Sequence, residues 1–120
     1  MILVDTSVWV DHLRQANLTL IQLLDEGYVL THPMVIGELA VGNIRERDVF
    51  LVRLQKLFRS AVATDDEVLR FITRFRLFGL GIGYIDCHLL AAAMLTPEAM
   101  LWSNDVRLSQ VAERLGLAAY

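Results

Sequence analysis

Four short apolar runs constrain this chain more than any other feature. They are residues 1–5 (MILVD), 28–31 (YVLT), 60–64 (SAVAT) and 99–102 (AMLW). The segments between them place apolar residues at helical spacing. Short, continuously apolar strands that alternate with helices predict an α/β fold, a parallel sheet with helices on both sides. In such sheets ligands gather outside the carboxyl ends of the strands, where the strand order switches. The ends of these four runs are therefore where functional side chains are expected.

The helical segments carry their own boundaries. Residues 7–14 and 17–26 read as helices, the second stopped by Gly27. Pro33 opens a helix that runs to Val41 and ends at Gly42. Residues 47–58 again have helical spacing. Thr64 and Glu67 match a capping box. The helix they open carries Val68, Phe71, Ile72, Phe75 and Phe78 as a stripe expected to be buried. Gly79, Gly81 and Gly83 form a flexible loop, which is no dinucleotide fingerprint because Asp86 stands where the third glycine would be. Helices follow over 84–95, stopping before Pro97, and over 105–115, closed by Gly116. The final LAAY is expected as an edge strand.

At 120 residues without repeat, low-complexity tract or linker, the chain reads as one domain spanning 1–120. A hydrophobic fraction of 55% supports a sizeable core. No apolar run approaches the roughly 18 residues needed to span a bilayer, so no membrane partner is expected. The N-terminus lacks the features of a signal peptide, and the single Cys87 fits a reducing compartment; both point to the cytoplasm. Without a C-x-x-C pair and with scattered histidines, a Cys/His zinc site is not expected.

The net charge of −3 looks wrong for a nucleic-acid binder, but the distribution says more. Eight of the eleven basic residues fall between Arg45 and Arg76, against five acids. That stretch is available to an anionic partner, with Arg70 and Arg74 on one helix face; the plainer reading is a solvated face.

Four acids occupy the positions where strands end and helices begin. Asp5 ends the first strand and Asp105 follows the fourth, so they meet if those strands are neighbours. Glu38 sits on the apolar helix PMVIGELAVG, and Asp86 in the first turn of YIDCHLLAAAML, where the helix dipole favours a carboxylate. Each alone reads as an ordinary cap or surface acid. Together they can converge, and converging anions repel unless a cation sits among them. Oxygen ligands without Cys or His select Mg²⁺ or Mn²⁺, which can activate a water and clamp a phosphate. Ser7 and Ser103, two residues from Asp5 and Asp105, are placed to orient a carboxylate or a water.

ILVDTSVWVDHL, MVIGELAVG, GIGYIDCHLLAAA and LWSNDVRL resemble, in order and spacing, the four acidic blocks of PIN-domain ribonucleases of the VapC toxin type. The resemblance implies a three-layer α/β/α sandwich with a central parallel sheet in which strand one neighbours strand four. It implies Mg²⁺- or Mn²⁺-dependent endoribonuclease activity on structured RNA, and inhibition by a VapB-like antitoxin. It places the family's acids on Asp5, Glu38, Asp86 and Asp105, and the hydroxyl beside the first acid on Thr6 or Ser7. Ser103 stands where a threonine is common, and Val106 and Arg107 where some members carry a further acid. Mostly apolar helices beside an anionic cleft also suggest a homodimer that binds an antitoxin segment through an arginine. Trp9 and His12, three apart, are ordinary core and surface or one wall of a groove for that segment; His88 and Trp102 read as packing.

Three other readings compete. A haloacid-dehalogenase-type phosphatase wants a second aspartate two residues after Asp5, where Ser7 stands. A response-regulator receiver needs a lysine near its end, and the only lysine is Lys56. A catalytically inactive PIN scaffold binding RNA or protein is disfavoured by the presence of all four acids.

Overall fold

The computed structural model describes residues 1–120. Four parallel strands, β1 (Ile2–Val4), β2 (Val29–Thr31), β3 (Phe58–Arg59) and β4 (Met100–Trp102), form one sheet in the order β3-β2-β1-β4. The chain steps outward from β1 to β2 to β3, then returns to the other side of β1 to lay down β4. Since parallel crossovers are right-handed, this reversal puts the helices on opposite faces. Helices α1 (Thr6–Arg14), α2 (Leu18–Asp25), α3 (Pro33–Ala40) and α4 (Arg47–Gln55) cover one face. Helices α5 (Asp65–Phe75), α6 (Tyr84–Leu95) and α7 (Val106–Arg114) cover the other. The contacts agree: α1 packs on α3 and α3 on α4, while α5 packs on α6. This is the expected three-layer sandwich, and no helix is long and apolar enough to cross a membrane.

The core follows from the apolar runs. Leu3, Val4, Val29, Leu30 and Leu101 are buried in the sheet, and α6 is buried along Cys87–Ala93. Their apolar members belong to one core cluster of 26 buried residues, whose burial is favourable by roughly 25 cal/mol per Å² of apolar surface. Trp102 and His88 are buried too, as a packing role requires.

The third strand corrects the sequence. SAVAT is not extended in the sheet; β3 lies two residues earlier, pairing Phe58 with Leu30 and Arg59 with Thr31. It is an edge strand with both side chains exposed, so burial on two faces, the basis of the expectation, does not apply to it. Ser60 N–H still reaches Thr31 O at 3.0 Å, after which Ala61 N–H leaves the ladder for Thr96 Oγ1. Phe78 also departs from expectation: α5 ends at Phe75, and Phe78 is exposed beyond it. LAAY adds to the free edge of β4 by one parallel bridge, Leu101 to Ala118, rather than by a strand.

Candidate active site

The sheet order makes β1 and β4 neighbours at the switch point, with Val4 opposite Trp102 and Asp5 N–H donating to Trp102 O at 2.9 Å. Asp5 and Ser103 therefore leave the sheet side by side. Asp5 occupies the N-cap position of α1, yet its side chain makes no capping bond. It is buried, and its Oδ2 accepts hydrogen bonds from Ser7 Oγ and Ser103 Oγ, both at 2.7 Å. The serines are themselves fixed by backbone amides: Ser7 Oγ accepts from Asn104 N–H at 2.9 Å, and Ser103 Oγ from Asp105 N–H at 3.0 Å. Each hydroxyl thus spends its one proton on Asp5.

The other acids are held in the same manner. Asp105, exposed at the N-cap of α7, accepts Leu108 N–H on Oδ1 at 3.0 Å. Glu38, on α3 where that helix meets α1, accepts Thr6 Oγ1–H on Oε1 at 2.7 Å. Asp86, half-buried in the first turn of α6, accepts Gly83 N–H on Oδ2 at 2.8 Å. In all four carboxylates the protein engages one oxygen and leaves the other without a protein donor. The chain's ion pairs are Arg47–Asp48 and His88–Asp65, so no basic side chain neutralises these acids.

Their mutual field is visible at Asp86. Its carboxyl is pushed above the usual carboxylate range, first by burial and then by the charges of Asp5, Asp105 and Glu38; the Gly83 amide pulls the other way. The acids share one electrostatic site, as expected from sequence. They do not close on a single point, however, and no three His, Cys, Asp or Glu side chains form a ready-made metal site. Four hard oxygens without a protein donor, on acids paired with no basic side chain, are a donor set suited to Mg²⁺ or Mn²⁺.

Two grooves border this cluster or stand apart from it. One of about 490 Å³ runs beside Thr6 and Glu38, with Arg14 and Arg45 on its walls. Another, of about 560 Å³, lies between α5 and α6 and carries Arg70 and Arg74 beside Phe71, Phe75, Met94 and Leu95. It adjoins the carboxyl-terminal half of α6, whereas Asp86 is at the opposite end. The basic middle of the chain is thus divided, and Arg45 is the part of it that reaches the acid cluster. Trp9 is buried edge-on to Phe50, and with His12 it lines a third groove of about 320 Å³.

The family model for the PIN domain matches residues 2–114. The chain belongs to the PIN domain family. Within PIN domains it is 48% identical over 118 residues to Ribonuclease VapC32 of Mycobacterium tuberculosis, in both strain CDC 1551 / Oshkosh and strain H37Rv. The match covers 98% of this chain and 95% of the relative. Among solved structures this PIN domain is similar in fold to FitAcB from Neisseria gonorrhoeae, with a TM-score of 0.61, 21% identity and 94% of each chain covered. It is likewise similar to FitAB bound to an IR36 DNA fragment, with a TM-score of 0.63 and 19% identity, covering 100% of this chain and 94% of that one.

Sequence reasoning missed several groups that this PIN domain uses locally. Gly83 was read as loop and is the donor that holds Asp86. Asn104 donates its side chain to Asp11 at 2.8 Å, tying the start of α7 to α1. No periodicity signals such contacts; the glycine spacing before Asp86 was the only local hint.

Proposed function

We propose that this chain is a Mg²⁺- or Mn²⁺-dependent endoribonuclease that cleaves RNA phosphodiester bonds, and the toxin of a toxin–antitoxin pair. The reading takes residues 1–120 as a single PIN domain acting in the cytoplasm. The observation that carries it is the half-free state of Asp5, Glu38, Asp86 and Asp105: one oxygen of each is fixed by the protein and the other is left free. Kinship with a protein named as a ribonuclease supplies the substrate class.

On this reading Asp5, Glu38, Asp86 and Asp105 would hold the divalent cation. When bound, the cation supplies a water activated for attack on phosphorus and offsets charge on the phosphate. The protein's own part is orientation. Ser7 and Ser103 fix Oδ2 of Asp5 and leave Oδ1 without a protein donor. Thr6 does the same for Glu38, and Gly83 N–H for Asp86. Ser103 also accepts from Asp105 N–H, so one hydroxyl sets the relation between the acids of β1 and β4. Burial and its neighbours' charges raise the proton affinity of Asp86, against the pull of the Gly83 amide.

The partners follow from the same site. A VapB-like antitoxin segment with an arginine would neutralise the acid cluster, and the grooves beside Glu38 and Trp9 offer it an approach. The exposed apolar residues of α5 and α6, among them Leu69, Met94 and Leu95, support a homodimer. Purified protein incubated with total RNA should produce new RNA ends with Mg²⁺ and none with EDTA. Expression alone should arrest growth, and co-expression of the neighbouring small gene product should restore it. Intact RNA under all conditions, with unimpaired growth at high yield of folded protein, would overturn the reading.

A further inference from the structure

The acid cluster poses an electrostatic problem for its own substrate. RNA is a polyanion, and a cleft with four carboxylates and no paired basic residue repels it. A cation of the chain is needed at the rim to bring phosphate in.

Arg107 is at that rim. It lies in the first turn of α7, two residues after Asp105. Its position is set by a glycine: a Cβ built on Gly81 would fall 2.4 Å from Arg107 Nη1 and 3.0 Å from Cζ. Gly81 also has φ +76°, a backbone state that side chains rarely adopt. The positive φ favours glycine, and the absence of a Cβ lets the guanidinium lie directly against the loop backbone. That loop leads within two residues to Gly83, whose N–H holds Asp86. Arg107 thus follows Asp105 by two residues and packs against the loop that leads to Asp86.

The donors of Arg107 are unused. The arginines that donate hydrogen bonds within the chain are Arg47 and Arg114, and the ion pairs are those of Arg47 and His88. The side chain is exposed. Nor does α7 gain from it, because a cation in the first turn opposes the helix dipole, which favours anions there. A side chain packed against backbone, adverse to its own helix and with its donors free, is suited to an anion brought from outside.

We infer that Arg107, seated on Gly81, binds an RNA phosphate next to the scissile bond and offsets the repulsion of the acid cluster. It is a substrate-binding residue of the reaction proposed above, and the inference rests on that proposal.

The test uses the full chain and an RNA fragment spanning a cleavage site mapped with the wild type. Affinity is measured against salt in the Asp5→Asn background, which prevents cleavage, with and without Arg107→Gln. Arg107→Gln should weaken binding several-fold and lower the slope of log affinity against log salt by about 0.7, the value for one phosphate on a single strand. Arg107→Lys should keep the slope. In the otherwise wild-type protein Arg107→Gln should lower cleavage, leave Mn²⁺ affinity undiminished and melt at or slightly above the wild-type temperature, since the side chain makes no hydrogen bond in the fold and opposes the dipole of α7. Gly81→Ala, which displaces the guanidinium, should reproduce the binding loss. A wild type that neither binds nor cleaves RNA removes the functional reading and this inference together. A wild type that binds and cleaves, with an unchanged slope in Arg107→Gln, overturns the inference alone.

Discussion

The junctions β1–α1 and β4–α7 are built alike and used differently. In each a short buried strand ends, and an aspartate in extended conformation takes the N-cap position of a helix. Asp105 caps: its Oδ1 accepts Leu108 N–H. Asp5 does not, although its backbone is equally suited; its carboxylate accepts from two serine hydroxyls instead. The central strand holds a buried, uncapping aspartate, and its outer neighbour an exposed, capping one. An N-cap position thus says little about what its side chain does, and the donors around the carboxylate decide it. The β2–α3 junction gives a third variant, in which His32 caps with Nδ1 accepting Met34 N–H at 3.0 Å.

The largest expected effect is on cleavage. Asp5→Asn should lower RNA cleavage by about a thousandfold or more, since a cation's contribution is worth several kcal/mol of barrier. Asn keeps an oxygen for Ser7 and Ser103 and caps a helix about as well as Asp. Retained cleavage in a gel assay of RNA ends would therefore erase the distinction between the two junctions.

Ser103→Ala sharpens the same comparison one step out. It removes a donor to Asp5 and the acceptor for Asp105 N–H. Loss of such an orienting partner typically costs about 10- to 100-fold in metal affinity or activity. Steady-state cleavage and Mn²⁺ titration of this variant should fall together; unchanged values would show that Asp5 needs no orientation.

At β4–α7 the effect on folding separates cap from ligand. Asp105→Ala should cost about 1 kcal/mol, the usual worth of an N-cap, while Asp105→Asn should leave the melting temperature nearly unchanged and still lower cleavage. Equal melts for both variants would deny the capping role.

The effect expected at β2–α3 is absent at neutral pH and grows only as the pH falls. Burial, helped by the charges of His88 and Arg59, lowers the pKa of His32 to about 4 from its ordinary 6.5. The unfolded chain then takes up the proton first, so stability falls as pH drops from about 6.5 towards 4 and loses nothing more from this group below that. Thermal melts across this window should show the decline. His32→Asn, which keeps a cap without a titrating ring, should flatten it.

What the sequence made legible was local. Runs such as MILV and AMLW, Gly27 and Gly42 as stops, and the Thr64–Glu67 capping box all became the elements expected, because burial and capping act over a few residues. The edge strand was misplaced because Phe58 and Arg59 are exposed, so no apolar signal marks them. At the candidate site, the four acids stand out in the sequence as charges beside or within apolar segments. Their holding does not: Ser103 reaches Asp5 across 98 residues, and Thr6 reaches Glu38 across 32. Such pairings follow from strand order, which no single stretch encodes. The Arg107–Gly81 contact was hidden for the same reason.

The central claim is that Asp5 is a cation ligand in a field of mutually repelling acids rather than a helix cap. Mn²⁺ titration by calorimetry, run beside thermal melts of the metal-free wild type and Asp5→Asn, tests it most directly. The account predicts that Mn²⁺ affinity falls by at least about tenfold in the variant, as for loss of a ligand's support or more. The metal-free melting temperature should hold or rise, because one of four repelling anions is gone. Equal Mn²⁺ affinity with a lower melting temperature would contradict it and return Asp5 to the role of a structural residue at the start of α1.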